Sequence, residues 1–160
     1  TVFNAGQRML ALISYIVEIA RLNNGHTSLK REEFDITELV SETTTRWKTL
    51  NPSKPLTVET NLTDPVFNAD RMQLRQIILH LMTFASLLVT EGTVSLSISD
   101  TNADLRIRAQ SFGKKPVDKS EMDSAMLGFI LASLVKLHGG QMDDPQETDD
   151  GLLLKFSLPR

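Results

Sequence analysis

Apolar residues recur three and four positions apart over four long stretches, and at every second position over several short ones. Over 70–89, Leu74, Ile77, Ile78, Leu81, Ala85 and Leu88 make one apolar face and predict a helix. Asp70 with Gln73 forms a capping-box start, and Gly92 supplies a stop. The opposite face carries Gln73, Gln76, His80, Thr83, Phe84 and Leu87. Phe84 and Leu87 on that side predict that the helix is covered there too. Over 7–23 a second helix is apolar on two sides: Met9, Leu12, Ile16 and Ile19 on one, Leu10, Ile13, Val17 and Ala20 on the other. Such a helix suits a bundle rather than one sheet. Asp35 and Glu38 open a third helix, with Leu39, Val40, Thr43 and Trp47 inward. A fourth, over 124–138, turns Leu127, Ile130, Leu131 and Leu134 inward and closes at Gly139-Gly140.

Alternation predicts the strands: Leu56, Val58, Thr60, Leu62; then Val94, Leu96, Ile98; then Leu105, Ile107, Ala109; finally Leu152, Leu154, Phe156, Leu158. A short strand is expected at 66–69 and a weak one at Met142, with 28–34 a connector and 143–150 an acidic loop. Together these give an α/β fold: an α+β two-layer sandwich, a mixed sheet with three helices on one face, preceded by one bundle helix.

Composition narrows the function classes. The 160 residues suit one globular domain with a small appendage, and 41% hydrophobic with 23% charged residues is ordinary for a soluble chain. A net charge of -3 gives no reason to expect nucleic acid or an anionic membrane as partner. Zero cysteines exclude disulfides, thiol catalysis and cysteine-ligated metal. No apolar run is long enough to span a bilayer, so no direct membrane insertion is expected and a cytoplasmic domain is the natural reading.

The run MLALISYIVEIARLNNG resembles the second helix of the dimerisation hairpin of sensor histidine kinases. The helix at 70–89 resembles the N-box helix of their Bergerat-type ATPase domain, and LVKLHGG at 134–140 matches a further marker in the right order. The resemblance implies a dimerisation piece and connector at 1–27 and an ATPase-like domain at 28–160. It also implies where nucleotide chemistry would sit. The family's Q-x-x-x-N-L-x-x-N-A-x-K pattern places its two Asn on His80 and Phe84 and its Lys on Leu87; the second Asn holds Mg²⁺ and the Lys contacts phosphate. The adenine-reading Asp falls on Ser111, with the glycines that follow it on Gly113 and Lys115. The later glycine box falls on Asp123, Ala125 and Leu127.

Those substitutions lead to an expectation of no catalytic residue, no metal and no cofactor. The chain would then not be an enzyme but a signalling pseudokinase acting by dimerisation and protein–protein contact. Its partners would be a second copy, joined through Met9, Leu12, Ile13, Ile16 and Ile19, and a response regulator or another signalling protein. Phe84 and Leu87 would be buried, with Leu127 or Phe129 opposite. Two alternatives stay open: a histidine phosphotransferase, which needs an upstream His, and a divergent active kinase. The remaining candidates have plainer readings. His80, facing the nucleotide pocket, reads as a packed residue rather than a metal ligand or phosphoacceptor. His138 is a cation suited to a helix end, and His26 a surface residue. Asp143, Asp144, Glu147, Asp149 and Asp150 lack Ca²⁺-loop spacing, Lys114-Lys115 is a solvated turn, and Met9, Met72, Met82 and Met126 are core residues.

Overall fold

The computed structural model describes residues 2–25, 28–87, 89, 91–114 and 121–160. Chain order runs α1 (Val2–Asn23), β1 (Glu32–Asp35), α2 (Ile36–Leu50), β2 (Leu56–Asn61), β3 (Val66–Ala69) and α3 (Arg71–Leu87). It continues β4 (Gly92–Asp100), β5 (Asp104–Gly113), α4 (Glu121–Leu137), β6 (Gln141–Met142), β7 (Gln146–Thr148) and β8 (Gly151–Pro159). The main sheet has six strands in the order β2-β4-β5-β8-β6, with β7 paired to β8. β2 lies parallel to β4; the other pairs are antiparallel. The fold is therefore the α/β sandwich with a mixed sheet that the alternation implied.

Period two decides which face is covered. Val94, Leu96, Ile98, Leu105, Ile107, Ala109, Leu154 and Phe156 are all buried, whereas Ser97, Arg106, Arg108 and Lys155 face outward. Against the buried face α2 supplies Ile36, Leu39 and Trp47, α3 supplies Leu74, Ile77, Ile78 and Leu81, and α4 supplies Leu127, Ile130, Leu131 and Leu134. The Trp47 indole N–H also reaches the Thr83 hydroxyl at 3.4 Å, joining α2 to α3.

Local signals set the helix starts. Asp35 Oδ1 accepts from Thr37 N–H at 2.8 Å and Glu38 N–H at 3.3 Å. Asp70 Oδ1 accepts from Gln73 N–H at 3.1 Å, while its other oxygen takes Lys30 N–H at 2.9 Å from the connector. Two strands escape alternation. β1 pairs antiparallel with β3 from Glu32↔Ala69 to Asp35↔Val66, inside the expected connector, and β7 lies within the expected acidic loop. β7 is held by backbone pairing without an apolar face, and β1 adds only Phe34, set opposite the buried Phe67. Met9 and Met72 are exposed, not core, because each lies on the outer side of its helix; Met82 is fully buried and Met126 partly so.

Candidate functional site

The residues aligned with the nucleotide boxes lie on α3, on β5 and on α4. Phe84 is buried, 6% exposed, and belongs to the hydrophobic core. Leu127 is fully buried in the same core. Leu87, expected to be buried, is 40% exposed because it is the last residue of α3, and Phe129 is exposed as well. Ser111 is fully buried on β5, and its hydroxyl has no hydrogen-bond partner. Ala125 is exposed on α4 and Leu127 buried, both well inside that helix, so their N–H groups belong to its own ladder. The Asp123 backbone is part of α4, its side chain lies outside the described residues, and Lys115 and His26 lie outside them altogether.

Gly113 has a different task from the one its alignment implied. Its φ of 152° is a glycine conformation, and a Cβ there would meet Glu91 O at 2.0 Å. It pairs with Gly92 across β4–β5, and its N–H donates to Asp150 O at 2.7 Å. Its lack of a side chain serves the close meeting of strand ends.

His80 is turned towards α1. Its Nε2 lies 3.2 Å from Glu18 Oε2 on α1, and the Tyr15 ring stands edge-on to it at 6.0 Å. Tyr15, Ile19 and Leu22 pack on the core, so one face of α1 rests on the sandwich. Leu12 is half-buried, whereas Met9, Leu10, Ile13, Ile16 and Val17 are 50–67% exposed. Glu18 was legible only as a charge within an apolar run. Its pairing with a histidine 62 residues away needed the tertiary fold.

Three further groups shape the surroundings. His138 is buried and its Nδ1–H donates to Leu134 O at 3.0 Å, leaving Nε2 unpartnered. Burial pushes its imidazole below the ordinary value, so it is held neutral and is not the dipole-matched cation the sequence implied. Lys54 Nζ donates to the carbonyls of Ser86 and Val89 at the end of α3, and burial lowers its ammonium. Asp100 is held down to about 2, first by the Thr63 N–H, then by Asp64 N–H, the Thr63 hydroxyl and Arg160. Among the described residues no group of three or more potential ligands could hold a metal ion.

This arrangement is the fold of histidine kinase catalytic domains. The chain superposes on the histidine kinase AdeS of Acinetobacter baumannii with a TM-score of 0.77 at 15% identity, covering 98% of this chain and 81% of that one. It matches the catalytic domain of histidine kinase ThkA with a TM-score of 0.65 at 17% identity, covering 81% of this chain and 97% of that one. A second ThkA structure, in complex with the response regulator protein TrrA, gives 0.72 at 18% identity over 96% of this chain and 48% of that one. In sequence, the autoinducer 2 sensor kinase/phosphatase LuxQ of Vibrio cholerae is 23% identical over 98% of this chain. The chain spans 21% of that protein's length. No family model matches.

The resemblance to sensor histidine kinases therefore stands, and the chain is histidine kinase-like in fold. The expectation that it is not an enzyme is overturned. The solved structures it matches over most of its length are a histidine kinase and the catalytic domain of another, and no feature of the fold shows that activity is lost. Among the described residues no helix is long and apolar enough to cross a membrane.

Proposed function

We propose that the chain is the signalling module of a two-component, histidine kinase-like sensor, on its cytoplasmic side, acting by dimerisation and by contact with a response regulator. In this reading residues 1–27 form the dimerisation piece and 28–160 the ATPase-like domain. One observation carries it: α1 rests one face on the sandwich and leaves Met9, Leu10, Ile13, Ile16 and Val17 exposed along the other. Met9, Ile13, Ile16 and Ala20 follow the four-three spacing of a helix seam. Each such side chain gains about 1.5–3 kcal/mol on full burial, so a second copy of α1 is the natural cover. The response regulator is supported by the ThkA–TrrA complex, whose kinase shares this fold.

On nucleotide, Phe84 and Leu87 offer no polar side-chain atom at the positions aligned with the Mg²⁺ and phosphate contacts. Ser111 favours a second reading, a divergent active sensor kinase. Its buried, unpartnered hydroxyl occupies the position aligned with the adenine-reading Asp. Calorimetric titration with Mg²⁺ and ATP tests it. A Kd tighter than about 100 μM, roughly -5.5 kcal/mol, establishes the second. Dimerisation is tested by light scattering on the parent chain and on Ile13→Glu/Ile16→Glu. A dimer that the double variant turns into a monomer supports the proposal, and a stable monomeric parent at about 100 μM, on the order of -5.5 kcal/mol, overturns it.

A further inference from the structure

The side of the sheet that no helix covers gathers positive charge at one place. Arg106 and Arg108 alternate with the buried Leu105, Ile107 and Ala109, so both guanidiniums stand on the outer side of β5. Arg108 lies directly opposite Lys155 of β8, and Arg106 opposite Ser157. On the other flank Ser97 is the partner of Arg108 and Ser99 the partner of Arg106. Like charges set directly opposite each other destabilise an antiparallel pair, so Arg108 and Lys155 work against the sheet that carries them. Carboxylates at the rim answer two of the three cations. Arg106 Nε lies 3.2 Å from Asp104 Oδ1, and Lys155 Nζ 3.8 Å from Asp143 Oδ2. Arg108, in the middle, donates to the neutral Gln110 Oε1 at 3.2 Å and has no ion pair among the described residues. Glu59 stands one strand further out, opposite Ser97. Short serines between long cations leave a cavity of about 480 Å³, lined by Ser97, Ser99, Arg106, Arg108, Lys155 and Ser157, with Asp104 and Asp143 at its rim.

We propose that this cavity binds a small phosphorylated molecule, whose phosphate is held between Arg108 and Lys155. An anion there supplies the counter-charge that Arg108 lacks and relieves its repulsion with Lys155. A guanidinium fork fits either a carboxylate or a phosphate. The number of donors decides between them. Two guanidiniums, one ammonium and three hydroxyls offer more hydrogen bonds than the roughly four lone-pair sites of a carboxylate can accept, whereas a phosphate ester presents three strong acceptor oxygens and a charge near -2. The volume decides the size of the ligand. It falls within the range of about 300–1,000 Å³ usual for small-molecule clefts, so the rest of the molecule lies along the serine hydroxyls of β4 and β8. Ser111 is on the covered face of β5, with Leu105, Ile107 and Ala109. The cavity is therefore separate from the position aligned with the adenine-reading Asp, and it stands or falls apart from the proposed function.

Amide NMR on the full chain tests it. Inorganic phosphate is titrated at pH 7.5, with acetate as the carboxylate control and potassium chloride holding the ionic strength constant. Phosphate should shift the amides of 97–99, 106–108 and 155–157 saturably, with a Kd on the order of 1 mM. Acetate should bind at least about tenfold more weakly. Arg108→Gln and Lys155→Gln each remove one cation from the outer side of the sheet, away from the core, and their spectra report their own folding. Each should weaken phosphate about tenfold or more. Shifts that do not saturate by about 20 mM phosphate, shifts centred elsewhere in the chain, acetate binding as tightly as phosphate, or folded variants that bind phosphate as the parent does would each overturn the proposal.

Discussion

Replacing Phe84 by Asn puts the residue of the N-box pattern back where this chain has an aromatic ring, and separates a core position from a ligand position. Phe84 is 6% exposed and sits in the core cluster. A buried aromatic side chain removes roughly 150–250 Å² from water. At about 25 cal/mol/Å² that is about 4–6 kcal/mol, which a compact unfolded state reduces to about 3–5. Asn recovers part of the volume but buries an amide, whose unmet hydrogen bonds cost about 1–3 kcal/mol. The expected net loss is about 3–5 kcal/mol, a fall in melting temperature of roughly 6–20 °C for a chain of this size. Melts followed by circular dichroism, with and without Mg²⁺ and ATP, read both stability and ligand. A Phe84→Asn variant within about 1 kcal/mol of the parent, or one that nucleotide stabilises more than the parent, would falsify the assignment of Phe84 to the core.

Two predictions concern pH. Asp100 titrates near 2 in the folded chain against an ordinary 3.8, so its contribution is present above about pH 4 and lost as pH falls through 2. Asp100→Asn should flatten the acid limb of the stability curve between those values, and parallel acid limbs for the two proteins would sink the assignment. For His138 the folded value lies below the ordinary 6.5, so the neutral ring's contribution is present above that value and lost as pH falls below it. His138→Gln should lessen the loss of stability in melts between pH 7 and 5, and an unchanged slope would show that burial does not hold the ring neutral.

What could be read from the chain divides along physical lines. The covered face of the sheet was legible because one buried side imposes strict alternation, as at Val94, Leu96 and Ile98. The caps at Asp35 and Asp70 were legible because short carboxylates near free N–H groups have few other uses. β1 and β7 were not, since backbone pairing selects no side-chain period and both strands are mostly exposed. At the candidate site, Phe84 announced itself by being too apolar for the face it shares with Gln76. His80 and Glu18 could not, because helical periodicity relates residues on one helix and says nothing about which neighbour a side chain meets. His138 was misread for a similar reason: the end of a helix favours a cation only where solvent reaches it.

The strand order also dictates how the molecule is assembled in time. β4 and β5 are joined by a tight turn in which Thr101 Oγ1 accepts from the N–H groups of Ala103 and Asp104. That hairpin is local and can close within microseconds. β8 pairs along the whole of β5, from Asp104↔Pro159 to Phe112↔Gly151, with α4 between them in the chain. β2 reaches β4 only after β3 and α3 have been traversed. Both long-range pairings incur loop-closure entropy before they return contact energy. The two flanks of the β4–β5 hairpin are therefore the last pairings to be sealed, and a chain caught before that step carries both long edges of its hairpin unpaired, open to other strands.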